Sequence, residues 1–418
     1  MARKVDVLVV GGGPAGLAAA AALAAAGAGR VEVVDRESEA GGIPRHSHHT
    51  GYGLRDLHRV MTGPAYARRR VDLATSAGAE VRAGVSVTGW AGERLLDLTS
   101  HGGLERVQAG AVVLATGARE RPRAARWVAG DRPSGVLTTG QLQQAVYLFD
   151  QPVGRRAVVV GAEHVSFSAL VTLVHAGVEV VAMITDLPRA QSYRAFHLGA
   201  GARWRVPVIT RTRVSRVLGH GRVSAVELQR VDRPDDLRRL SCDTVVFTGD
   251  WVPDQELARA GDLAMDPGTR GPRTDTEGRT DVDGVFAVGN LVHPVETADI
   301  VALEGGRLAD PVLRYLRGHR VTEQPIAVRT EPPLRWVAPN LVRPGDRAPA
   351  RDRFLVWPSA FVEHPRFQVR QGDRQIGDYT TRRVLVPHRP RGLPADWQRA
   401  VRADEGPVTV TVSGSLVG

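Results

Sequence analysis

Three histidines, His46, His48 and His49, lie close together just before Gly51-Tyr-Gly53. Imidazole is the side chain that by nature titrates near neutrality. Such a cluster suits proton transfer while a C–H beside an amine or hydroxyl gives up hydride. A metal site is the other chemistry that histidines offer. No acid or cysteine stands at ligand spacing around them, so no metal is expected. The plain alternative is a loop whose imidazoles bond to backbone or solvent. His293 is a second candidate for proton transfer, whereas His164 and His175 fall on a helical stretch and read as structural. Asp299 reads as an acid in the first turn of a late helix, complementing its dipole.

The elements that must position such chemistry begin at the N-terminus. An apolar strand over 5–10 runs straight into Gly11-Gly-Gly-Pro-Ala-Gly16. An Ala-rich helix follows over 17–26, and a second strand over 31–34 ends on Asp35. This is the pattern of a dinucleotide-binding βαβ unit. Gly11 permits the tight turn, Gly13 lets the backbone approach a pyrophosphate, and Gly16 lets the helix pack close to the strand. The helix N-terminus offers unpaired N–H groups and a partial positive charge to phosphates. Asp35 stands where a carboxylate accepts hydrogen bonds from a ribose diol. The motif alone does not choose between FAD and NAD.

Composition narrows the function classes. A chain of 418 residues implies two or three domains. The net charge is +10, but the arginines are scattered through every segment, with no aromatic-interleaved basic patch, which argues against nucleic acid as a partner. Lys4 is the only lysine, which removes lysine Schiff-base chemistry. Cys242 is the only cysteine. An intrachain disulfide, a CxxC redox pair and a cysteine-ligated iron–sulfur cluster are all excluded. The longest Ala-rich run, 18–26, is too short for a membrane span. No signal-type apolar region precedes the first strand, so a cytoplasmic location is expected.

Further along, 42–65 reads as a loop and the start of a helix, 66–78 as a helix, and 80–87 and 95–98 as strands. A strand over 107–114 leads into Ala115-Thr-Gly117, and the Pro/Arg/Gly stretch 119–135 reads as a linker. A second βαβ pattern then repeats the first: strand 157–160, Gly161, helix 165–176, strand 178–184. The stretches 206–217 and 223–230 are expected to continue its sheet. Buried strands follow at 244–248 and 285–288, and one helix is expected over 297–317. Beyond Pro325, β-type runs at 353–357, 367–370 and 408–412 indicate a small β-rich tail. Trp251, Trp336 and Trp357 are expected to pack domain seams.

The repeat is degenerate. Glu163 replaces the glycine that admits a pyrophosphate, adding bulk and negative charge, and Ser166 replaces the third glycine. The ribose-binding acid is expected near Met183 or Ile184, both apolar, with Asp186 past the strand end. NAD(P) binding there is possible but doubtful. A domain retained for packing or subunit contact, binding no NAD(P), fits better.

Taken together, Gly11 to Gly16, Gly41-Gly-Ile43, His49-Thr-Gly-Tyr-Gly53, Ala115-Thr-Gly-Ala-Arg-Glu-Arg-Pro122 and Gly284 to Asn290 resemble the FAD/NAD(P)-binding, pyridine-nucleotide-disulfide-reductase-like superfamily. Within it they are most similar to FAD subunits of opine oxidase, hydrogen cyanide synthase and glycerol-3-phosphate-dehydrogenase-type oxidoreductases. The likeness spans roughly the first 320 residues, and the set is specific where each motif alone is weak. It implies an α/β protein with two nested Rossmann-like domains. These are an FAD domain in two parts, 1–122 and 249–325, an inserted NAD(P)-type domain at 123–248, and a β-rich C-terminal domain at 326–418. It also implies FAD held by Gly11, Gly13, Pro14, Ala15, Gly16, Asp35, Arg36, Gly42, Ile43, Val85, Ala115, Thr116, Gly117, Gly289, Asn290, Thr297 and Ala298. Where many relatives carry Asp, this chain has Asn290. His49 opens one of the matched motifs and is therefore the candidate catalytic residue.

The resemblance implies a dehydrogenase or oxidase subunit passing electrons from a small amine, amino acid or hydroxy acid through FAD to a separate acceptor or partner subunit. Two alternatives stand beside it: a single-chain NAD(P)H-dependent reductase, and a flavin-binding subunit without catalysis of its own.

Overall fold

Val7, Leu8 and Val9 are wholly buried because their strand, β1 (Arg3–Val10), lies inside a sheet packed on both faces. An uninterrupted apolar run is what such a strand needs. The computed structural model describes residues 2–193 and 203–417. In it β1 pairs in parallel with β2 (Val31–Asp35) on one side and Gly103–Leu114 on the other, Val9 facing both Val33 and Val113. Beyond β2 lies Glu80–Ala83; beyond Gly103–Leu114 lie Leu95–Ser100 and Val85–Gly92. The first half of Gly103–Leu114 pairs antiparallel with Leu95–Ser100, and its last residues pair in parallel with Val285–Ala287.

One face of this sheet is covered by α1 (Pro14–Ala25). Its alanines keep it slender. The helix Ala298–Gly306 packs against it so tightly that a Cβ on Gly305 would lie 2.0 Å from the Ala15 carbonyl oxygen. Two expected elements are each divided. Gly84, at φ +69°, ends Glu80–Ala83 and redirects the chain into Val85–Gly92, so 80–87 is not one strand. The stretch 297–317 is two helices, Ala298–Gly306 and Ala309–Leu316, because Pro311 lacks the N–H that would carry a ladder across Arg307 and fits only in a first turn.

Residues 326–417 form a five-stranded and a three-stranded sheet around a core that includes Phe354, Val369, Trp397 and Val410. Trp336 and Trp357 stack at 5.3 Å in a separate small cluster with Ala338 and Leu355. This part belongs to the first compact unit, made of 2–45, 50–118 and 252–417.

The second compact unit comprises 46–49 and the described residues of 119–251. Its parallel sheet runs Val136–Thr138, Thr244–Phe247, Arg156–Val160, Glu179–Ile184, Val208–Ile209. Of the stretches expected to extend it, only Val208–Ile209 does so. Thr212–Leu218 and Ala225–Arg230 instead form a separate sheet with Leu237–Ser241 and Ala129–Gly130, and hairpin pairing between neighbours in sequence replaces a crossover. The Pro/Arg stretch 119–135 is not a loose linker. Arg123 Nε donates to the Val128 carbonyl at 3.1 Å, and Arg126 donates to the carbonyls of Arg121 at 2.8 Å and Gly249 at 2.7 Å. The helix Thr139–Tyr147 lies outside the expected elements, although Thr138 and Gln141 form the capping box that announces it.

Candidate active site

The glycine turn at 11–16 shows which of its glycines serve the fold and which serve something else. Gly11 has φ +109°, and a Cβ there would lie 2.4 Å from the Ala115 carbonyl oxygen. A Cβ on Gly16 would lie 2.0 Å from the Gly11 carbonyl oxygen. Both positions are closed by the protein's own backbone. Gly13, the N-cap of α1, has ordinary extended angles, and a Cβ there would meet nothing within 4 Å. Neither strain nor packing demands glycine at 13, and the open ground above it lies at a helix N-terminus. These residues fit a pyrophosphate-bearing cofactor.

Asp35 closes the turn from the β2 side. Its carboxylate accepts the Gly12 N–H at 2.7 Å and the Glu37 N–H at 2.9 Å. Burial pushes its pKa up, against the pull of these two donors. Gly42, at φ +64°, packs against Gly13 and Pro14, and the Gly41 N–H donates to Gly12 O at 2.7 Å. Ile43 is exposed, and Val85 is buried in the apolar core.

The strand end Ala115-Thr-Gly117 is fixed by a residue the sequence did not single out. Thr116 Oγ1 donates to the Asp254 carbonyl at 2.7 Å, the Asp254 N–H returns to Gly117 O at 2.9 Å, and Arg36 reaches the Asp254 carboxylate at 3.3 Å. No local pattern marks Asp254, since it meets these partners only through folding.

Gly289 and Asn290 follow the strand Val285–Ala287. A Cβ on Gly289 would lie 2.8 Å from Ala15 Cβ, which brings this strand end close to the start of α1. The Asn290 side chain spans its own loop, accepting from the Glu296 N–H at 2.8 Å and donating to the Glu296 carbonyl at 3.2 Å. Thr297 is the N-cap of Ala298–Gly306. Asp299 lies in the first turn but does more than complement a dipole. It is buried, and it accepts from both the backbone N–H of Arg55, at 3.2 Å, and its guanidinium, at 3.0 Å. Beside this pair, the buried Tyr66 hydroxyl donates to Asp56, Arg70 also reaches Asp56, and burial raises the Tyr66 pKa. Sequence reading missed this group because its members come from three separate stretches.

His293 is buried and its Nε2 lies 2.9 Å from Glu304 Oε2. Burial alone would lower its pKa, but the Glu304 carboxylate, joined by Glu296 and a backbone hydrogen bond, turns the net direction upward. His46, His48 and His49 belong to the second unit. There His46 is buried, His49 is half-buried, and His48 stacks on Tyr147 at 3.9 Å, which His175 meets edge-on at 5.4 Å. Among the described residues no group of three His, Cys, Asp or Glu side chains is gathered for a metal ion. No described helix is long and apolar enough to cross a membrane.

A parallel sheet, a glycine turn with open ground at its central position and an acid at the end of β2 define an α/β dinucleotide-binding oxidoreductase fold. Residues 5–306 match the family described as pyridine nucleotide-disulphide oxidoreductase. The chain belongs to that family and is an FAD-dependent oxidoreductase. It is similar to the alpha subunit of sarcosine oxidase from Rhizobium meliloti (strain 1021), 29% identical over 276 residues that cover 60% of this chain and 25% of that protein. It is also similar to an opine oxidase subunit from Agrobacterium tumefaciens (strain Ach5), 34% identical over 194 residues, 45% of this chain and 37% of that one. The chain thus spans well under half the length of these relatives. Among solved structures, thioredoxin reductase of T. acidophilum shares the fold at TM-score 0.61 and 23% identity, covering 75% of this chain and 98% of that one. L-proline dehydrogenase from P. horikoshii does so at TM-score 0.55 and 19% identity, covering 77% and 58%.

Proposed function

We propose that this chain is the FAD-bearing part of a dehydrogenase or oxidase that oxidises a small amine, amino acid or hydroxy acid and hands the electrons to a separate acceptor. The observation that carries this reading is the state of its single cysteine. Cys242 is buried, and burial pushes its thiol up to about 11, so it is neither paired nor a ready thiolate. The dithiol chemistry of disulfide reductases is therefore closed to this chain. The sarcosine and opine oxidase subunits among its relatives favour an amine donor.

FAD, when bound, accepts the electron pair removed from the donor. The chain's own residues hold it. The first N–H groups of α1, with Gly11, Gly13, Pro14, Ala15 and Gly16, receive the pyrophosphate, and Asp35 receives the ribose diol. Arg36, Gly42, Ile43, Val85, Ala115, Thr116, Gly117, Gly289, Asn290, Thr297 and Ala298 complete the cradle. Since both ends of the Asn290 amide already serve Glu296, its backbone N–H is the group we assign to the cofactor. His49 supplies the imidazole that takes a proton from the donor.

Anaerobic absorbance of the purified chain tests the reading. NADH and NADPH should leave it yellow, and an N-methyl amino acid or other secondary amine should bleach it. Bleaching by either nucleotide would sink the proposal. His49→Ala should keep its flavin and bleach more slowly, and unchanged kinetics would return His49 to a structural role.

A further inference from the structure

The family to which the chain belongs is named for pyridine nucleotides, yet the turn at 161–166 in the second unit does not fit one. Its backbone is right. Gly161 has φ +141°, its N–H donates to Ile184 O at 2.7 Å, and the helix His164–His175 begins as α1 does. Its contents are wrong. Glu163, where Gly13 stands in the first turn, folds its carboxylate back over the turn and is buried. Oε2 accepts the Ala162 N–H at 2.9 Å and Oε1 accepts the Thr248 hydroxyl at 2.5 Å. The circuit closes through Ser166, whose Oγ lies 2.7 Å from Thr248 Oγ1 and accepts the Glu163 N–H at 3.2 Å.

The carboxylate lies in a cradle of glycines. A Cβ on Gly161 would be 2.7 Å from Oε2, and one on Gly249 would be 2.7 Å from Oε1. A pyrophosphate brought to this turn would meet a resident anion that already holds its N–H donor. The ribose position is altered as well. Val10 pairs with Val34 just before Asp35, and Val160 pairs with Ile184 just before Thr185. Register therefore puts Thr185, not Met183 or Ile184, where the acid would be, and its hydroxyl is engaged with Gln191.

We propose that Glu163 is an internal stand-in for phosphate that shuts the second nucleotide-type unit to pyridine nucleotides, latched by Thr248 and Ser166. The inference concerns nucleotide binding to the second unit and does not depend on the donor assigned above. A wrong donor would show in bleaching, whereas a wrong latch shows in binding.

The test is calorimetric titration of the flavin-loaded chain with ADP-ribose and with inorganic pyrophosphate. The unaltered protein should bind both more weakly than about 1 mM. Glu163→Gly and Glu163→Ala should bind pyrophosphate at least about tenfold tighter, with hydrogen-exchange protection appearing over 161–166. Glu163→Gln fills the same space and should stay shut. Should the first two variants fail to fold, Glu163→Ser removes the carboxylate while keeping a side chain that can cap the helix, and it should bind pyrophosphate more tightly than the parent. Submillimolar binding of ADP-ribose to the unaltered second unit overturns the proposal. So does the failure of a folded Glu163→Gly or Glu163→Ala protein to bind pyrophosphate better than the parent.

Discussion

At the N-cap of the first helix, Gly13 has φ −82° and ψ −177°; at the N-cap of its counterpart, Glu163 has φ −92° and ψ −177°. The leading glycines donate to matching carbonyls, Gly11 to Val34 at 2.9 Å and Gly161 to Ile184 at 2.7 Å. The neighbouring strand ends also correspond, the Ala115 N–H reaching Val10 O at 2.8 Å and the Thr248 N–H reaching Val160 O at 3.0 Å. Two turns with one backbone thus carry different side chains, and the differences that fill the second are Gly13 against Glu163, Gly16 against Ser166 and Ala115 against Thr248. In the first the Gly12 N–H goes to Asp35 at 2.7 Å; in the second the Ala162 N–H goes to Glu163 at 2.9 Å. The lesson is that this turn is a conformation first. What it binds is decided by the side chains reaching it.

Substitutions that break the comparison on the first side should have the largest effects. Gly16→Val drives a side chain into the Gly11 carbonyl, which is backbone and has nowhere to go. Overpacking costs about 1–3 kcal/mol even where a core yields. Little soluble protein is expected, and the thermal unfolding curve checks it. Gly13→Ala should be silent in stability, because its Cβ enters open space. Gly13→Glu, which imports the second turn's residue into the first, should fold yet lose flavin by more than about tenfold in affinity. A Gly13→Glu protein that purifies with full flavin content would remove FAD from this turn.

A smaller effect is expected at the strand end. Asp35→Ala deletes a charged acceptor of two N–H groups, an interaction of about 1.5–3 kcal/mol for each such bond. Flavin affinity should fall roughly ten- to a hundredfold, read by titrating apoprotein with FAD. Thr185→Ala, at the matching place in the second unit, should leave flavin affinity unchanged.

The smallest effect lies in the pH dependence of stability. Glu120 is buried next to the second turn, where it accepts the Gly140 N–H at 2.9 Å. Burial, aided by the Glu163 charge, pushes it from 4.5 up to about 7. The folded state therefore keeps a proton that the unfolded chain releases above 4.5. This contribution is complete below 4.5 and is lost as pH rises through about 7. Glu120→Gln should flatten that slope and shift the high-pH melting temperature upward by a few degrees, ~2–4 °C. A slope that survives in Glu120→Gln would place the titration elsewhere.

Much was legible because it is local. The alternation from apolar run to glycine turn to Ala-rich helix fixes φ, ψ and periodicity within a few residues, so both βαβ units could be read directly from the chain. Glu163 also announced itself as bulk and charge in the wrong place. The broken helix at Pro311 and the divided strand at Gly84 are visible as residue types, but a longer periodic pattern runs across each. What only the tertiary structure decided are the destinations of side chains. Thr248 meets Glu163 across 85 residues of chain, Arg55 meets Asp299 across 244, and Asp254 meets Thr116 across 138. Strand register, not counting along a helix, put Thr185 opposite the role of Asp35. The sequence by itself determined that two nucleotide-type turns exist, because backbone conformation is a local property. Only the fold decided that one lies open and the other is filled, because a hydrogen bond needs its partner brought to within about 3 Å, and that partner lies far away in the chain.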